Sequence, residues 1–91
     1  MIEIKNRQFA DPDAVFVIDA LIEELPVDWQ RHIIGECNAG EEFWAVEMAL
    51  QGAVEVGIEV SDEVLQKAEY IAVNSDDVFA KRLRRFIAEL E

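Results

Sequence analysis

Few residues in this chain have the type and spacing that chemistry requires. Asp28, His32 and Glu36 recur four residues apart, so on a helix they stack along one side, where an imidazole and two carboxylates are metal-ligand types. His32 is the only histidine, however, and no Glu-x-x-His pattern on a second segment completes a set. A helix-surface stripe accounts for the spacing, and no metal is expected. Cys37 is the single cysteine, spaced with Trp29 and Ile33 in an acidic segment, which fits a small buried apolar side chain better than a reactive thiolate. Glu47 and Glu55 flank Gln51 on successive turns, and a carboxylate pair without a pocket is weak ground for acid–base catalysis. Neither Gly52 nor Gly57 belongs to a phosphate-cradling loop. The expectation is a protein that is not an enzyme, with no catalytic residue and no cofactor.

The elements that position these residues read as helices. Asp11 before Pro12 is a helix start, and Val15, Ile18, Ile22 and Leu25 then share a face, predicting a first helix over about residues 12–25. After Pro26 a second helix spans Val27 to Cys37, closed by Asn38-Ala39-Gly40. A third begins near Glu41, with Phe43, Val46, Leu50, Ala53 and Val54 inward, Trp44, Met48 and Ala49 broadening that face, and Glu47, Gln51 and Glu55 as a polar stripe. It ends near Val56, with Gly57 as a left-handed terminator.

Ser61 or Asp62 caps a fourth helix that turns Val64, Leu65, Ala68, Ile71 and Ala72 inward. Asn74-Ser75-Asp76-Asp77 opens a fifth, with Phe79, Leu83, Phe86, Ile87 and Leu90 as its stripe. The fold class is therefore all-α: a compact bundle of four or five short helices in a single domain over residues 1–91, preceded by a short extended segment over residues 2–9. The alternative is an α+β fold, because Val54, Val56, Ile58 and Val60 alternate with polar positions and would pair as a strand with residues 2–4.

Charge carries the strongest functional signal. The 91 residues hold 20 acidic and 8 basic side chains, a formal charge of −12, on a composition that is 52% hydrophobic. Residues 8–66 contain fourteen carboxylates against Arg31 alone. Such a field repels nucleic-acid phosphate, so no direct nucleic-acid binding is expected, even though Lys81, Arg82, Arg84 and Arg85 cluster on the fifth helix. Those cations suit the carboxyl end of a helix and have many carboxylates to pair with. The segment from Phe43 to Ile58 is interrupted by Glu47, Gln51 and Glu55, which argues against a membrane span. Met1 to Arg7 lacks the pattern of a secretory signal, and a lone cysteine suits a reducing compartment, so a cytoplasmic location is expected.

Bulky rings inside a charged rim are the usual division of labour at a tight interface. Phe16 falls off the first helix's apolar face, whereas core packing is the default for Trp29 and Trp44. The candidate interface comprises Phe16, Asp19, Glu23, Glu24, Asp28, Trp29, Glu36, Glu41, Glu42 and Trp44. The function expected from it is that of a small acidic protein-binding module, an inhibitor or immunity-type protein that blocks a basic, nucleic-acid-handling or nuclease-like partner. The alternative is a structural or regulatory subunit that acts through homo-oligomerisation, such as a homodimer, without catalytic activity.

Overall fold

The computed structural model describes residues 11–91. Within them the chain forms five helices: α1 (Pro12–Leu21), α2 (Val27–Asn38), α3 (Glu42–Val56), α4 (Asp62–Val73) and α5 (Asp77–Leu90), with a 3₁₀ turn over Ile22–Glu24. The extended segment expected over residues 2–9 lies outside the described residues.

Three of the five helices, α1, α4 and α5, start where a side chain caps the first turn. The Asp11 carboxylate accepts hydrogen bonds from the backbone N–H groups of Asp13 and Ala14, at 2.8 and 3.4 Å, and Pro12 occupies the position that needs no donor. Ser61 Oγ caps α4 by accepting from Val64, and Asp76 caps α5 by accepting from Phe79. α1 is shorter than its periodicity predicts. Pro26 disfavours helical geometry at the residue before it, and Leu25 accordingly turns extended (φ −92°, ψ 151°), so the last turn tightens into the 3₁₀ segment. The Ile22 carbonyl there accepts a hydrogen bond from Gln30 Nε2 at 3.0 Å.

At the end of α3, Gly57 adopts φ +84°, and the N–H groups of Gly57 and Ile58 both donate to the Ala53 carbonyl. This termination overturns the α+β alternative over residues 54–60, because residues 54–56 complete the helix and no strand occurs among the described residues. The proposed partner strand, residues 2–4, lies outside them.

α3 occupies the centre, packed against α1, α2 and α5, while α4 rests on α1 and α5. Ala45, Val46, Ala49, Leu50 and Ala53 of α3 are fully enclosed and join buried side chains of the other four helices in one contiguous core. Small residues on α3 bring its neighbours close. A Cβ at Gly52 would lie 3.0 Å from Leu25 Cδ2 and 3.1 Å from Trp29 Cδ2, so the Trp29 ring sits directly on the α3 backbone. No described helix is long and apolar enough to cross a membrane.

Candidate functional site

The first turn of α3 is less covered than its sequence pattern predicts. Gly40, at φ +82°, turns the chain sharply out of α2, and the first turn of α3 then overhangs the core with its rings only partly covered. Phe43, expected on the inward face, is 40% exposed, and Trp44, expected to broaden the core, is 44% exposed. Both assignments are corrected by the same cause: core-facing periodicity holds only where another helix lies opposite. One turn further along, Ala45 and Val46 are fully buried.

Opposite this overhang lies the junction of α4 and α5. Asn74 Nδ2 donates to the Tyr70 carbonyl and Ser75 Oγ to the Ile71 carbonyl, closing the end of α4, and Asp76 then starts α5. Between overhang and junction opens a cleft of about 670 Å³, within the range of ligand-binding clefts. Phe43, Trp44, Tyr70, Ile71, Val78 and Phe79 supply its apolar lining. Asp11 and Asp13 from the start of α1, Glu41 and Glu42 from the start of α3, and Asp76 supply carboxylates.

One wall is braced by ring and charge contacts. The Trp44 ring meets Phe79 edge-on, with centroids 5.8 Å apart and planes at 72°, and the Arg82 guanidinium lies 5.0 Å from the Trp44 ring centroid. Arg82 also pairs with Glu47 of α3. Glu47 was placed on a polar stripe by its spacing, but it is only 5% exposed, and its Oε2 is buried without a hydrogen-bond partner. Glu55 is exposed, so the two glutamates do not form a pair in a common environment.

Beside the cleft, Lys67 Nζ lies 3.6 Å from Asp13 and 5.8 Å from the ring centroids of both Phe16 and Tyr70. Arg84 is held by Glu69, whose hydrogen bond and charge raise the guanidinium's already high pKa. Two of the four clustered cations, Arg82 and Arg84, are thus engaged by carboxylates of α3 and α4.

The ten candidate interface residues fall into separate groups. Glu41, Glu42 and Trp44 line the cleft. Phe16 is exposed next to it, linked to Tyr70 through Lys67. Glu36 is half-buried near the end of α2, where its backbone carbonyl accepts from Glu41 N–H. Asp19, Glu23, Glu24 and Asp28 are exposed but follow the chain away from the cleft, through the later part of α1 to the start of α2. Trp29 is committed to the core by its contact with Gly52, eight residues or about 12 Å along α3 from Trp44.

The rest of the lining, including Asp11, Asp13, Phe43, Tyr70, Ile71, Asp76, Val78, Phe79 and Arg82, lies outside the ten candidates. The signal for Tyr70 was present, since it falls off the apolar stripe of α4. Among the described residues no group of three His, Cys, Asp or Glu side chains could hold a metal ion, and Cys37 is buried. No protein-family model matches the chain, and neither a curated protein nor a solved structure matches it significantly.

Proposed function

We propose that this protein is a small acidic protein-binding module that uses the cleft at the head of α3 to engage a basic partner in the cytoplasm. The observation that carries the reading is the exposure of Phe43, Trp44, Tyr70 and Val78 inside a set of carboxylates. An aromatic centre with a charged rim is how protein interfaces combine affinity with steering. The overall charge of −12 supports the sign of the partner, because it accelerates encounter with a positive surface and opposes nucleic acid.

A basic active surface, such as that of a nuclease-like enzyme, is the partner whose function such a module would block. Inhibition of this kind requires no catalytic group of its own. The test is capture of a basic protein on the immobilised chain, followed by purification of that protein and assay of its activity with and without an equimolar amount of the module. Loss of activity at 1:1 stoichiometry, with an association rate that falls steeply as salt rises, is the expected outcome. A salt-independent rate would remove steering from the account. A homodimer closed through the cleft, with no basic partner, would instead make the chain a structural subunit.

A further inference from the structure

The cleft restricts the shape and the charge of what can fill it. Its exposed apolar surface comes from one turn each of α3 (Phe43, Trp44), α4 (Tyr70) and α5 (Val78), so the floor is made of helix sides and ends. No strand edge occurs among the described residues to which a peptide could add by backbone pairing. The recognition mode that such a floor serves is an amphipathic helix laid in by its apolar face.

The charge is equally one-sided. Asp11, Glu41, Glu42 and Asp76 have no ion-pair partner among the described residues, and Asp13 shares only the 3.6 Å contact with Lys67. The one cation of the lining, Arg82, is already engaged by Glu47 and lies on Trp44. The Glu47–Arg82 pair is net neutral, so the charge left on the lining is that of its carboxylates. An acidic or neutral occupant would cover apolar surface and leave Glu41 and Glu42 without a counter-charge.

Resting on the reading of the chain as a protein-binding module, we infer that the cleft receives a basic amphipathic helix of its partner. Apolar side chains at positions i and i+3 or i+4 of that helix pack on Trp44 and Tyr70. Lys or Arg on its flanks faces Glu41, Glu42 and Asp11. Specificity comes from the combination, since the charges alone would bind any polycation and the rings alone any apolar helix.

The experiment uses the full chain and fluorescein-labelled synthetic peptides of about 14 residues, a length of about 21 Å as a helix. One carries Leu at helical spacing with Lys elsewhere, a second replaces the Lys with Glu, and a third replaces the Leu with Gln. By fluorescence anisotropy the first is expected to bind at least about tenfold more tightly than either control, and Trp44→Ala or the double change Glu41→Lys/Glu42→Lys to weaken it by a similar factor. Circular dichroism melts identify any variant whose fold has failed, and Glu41→Lys/Glu42→Lys, at exposed or half-buried positions, keeps the test available if Trp44→Ala unfolds.

Equal binding of the Gln control, or binding indifferent to Trp44→Ala in a folded protein, would reduce the result to polyelectrolyte adsorption and overturn the inference. Residues 1–10 carry Ile2, Ile4 and Phe9 with Lys5 and Arg7, so a synthetic peptide of that sequence serves as competitor. If it displaces the Lys/Leu helix, the occupant is the chain's own segment and the inference fails. A homodimer in sedimentation that is lost in Trp44→Ala would assign the cleft to a second copy and overturn it likewise. A basic partner protein that binds Trp44→Ala as well as the parent chain would leave the protein-binding reading standing and remove the helix from the cleft.

Discussion

Glu47 of α3 and Arg82 of α5, thirty-five residues apart, form an ion pair in which the carboxylate is buried and the guanidinium half exposed. The pair joins the central helix to the last one directly behind the cleft wall. Removing Arg82 leaves a buried carboxylate without its counter-charge, which costs more than the pair itself contributes. Arg82→Ala is therefore expected to destabilise by about 2–3 kcal/mol, reduced from the fully buried case because water reaches the guanidinium. Adding Glu47→Leu to Arg82→Ala should recover most of that loss, and urea denaturation of the two single variants and the double variant measures it. Strict additivity across the cycle would mean that the two side chains do not interact.

The two tryptophans are predicted to separate stability from binding. Trp29→Ala removes a ring packed on Gly52 and against the core, and is expected to cost about 3–4 kcal/mol. Trp44→Ala loses the edge-on contact with Phe79 and the cover of Arg82, for about 1–1.5 kcal/mol, because the ring is already 44% in water. Thermal melts of both variants give the order, and a larger loss for Trp44 would reverse the assignment of which ring belongs to the core.

Two glycines should respond to alanine for different reasons. Gly57→Ala forces a side chain into φ +84°, and is expected to cost about 1 kcal/mol with no steric clash, since nothing lies within 4 Å of the new Cβ. Gly52→Ala drives a methyl against Leu25 and the Trp29 ring, for about 1–3 kcal/mol of overpacking. Combining Gly52→Ala with Trp29→Phe should be less damaging than the sum, and chemical denaturation reads the coupling.

Self-repulsion among the carboxylates makes a further prediction. With a formal charge of −12, the folded state is expected to gain stability as sodium chloride rises from about 0.02 to 0.5 M, because screening weakens long-range repulsion more than the few ion pairs. A melting temperature that falls over this range would show that the pairs Glu47–Arg82, Glu69–Arg84 and Asp13–Lys67 outweigh the field.

Helix punctuation was the most legible level of the sequence. Asp11-Pro12, Ser61, Asp76 and Gly57 act through their own backbone neighbourhood, and each does locally what its residue type dictates. The inward faces of α4 and of α3 after its first turn were also readable, because a neighbouring helix covers them along their length. The cleft was not, since exposure of Phe43 and Trp44 depends on where α4 ends and α5 begins rather than on the periodicity of α3. Glu47 escaped for a related reason: its partner is supplied by another helix, and a single-helix pattern assigns every isolated carboxylate to water. The candidate interface mixed Trp29 with Trp44 because sequence spacing does not order two rings by depth.

The depth difference between those rings equips the molecule with its own reporter. One indole opens to solvent beneath a guanidinium, whereas the other rests against the interior. A neutral collisional quencher such as acrylamide, which the carboxylates do not repel, reaches the first more readily than the second, which is only partly exposed. Closure of the cleft by any molecule would therefore appear as a fall in the more readily quenched part of the emission, with no label attached.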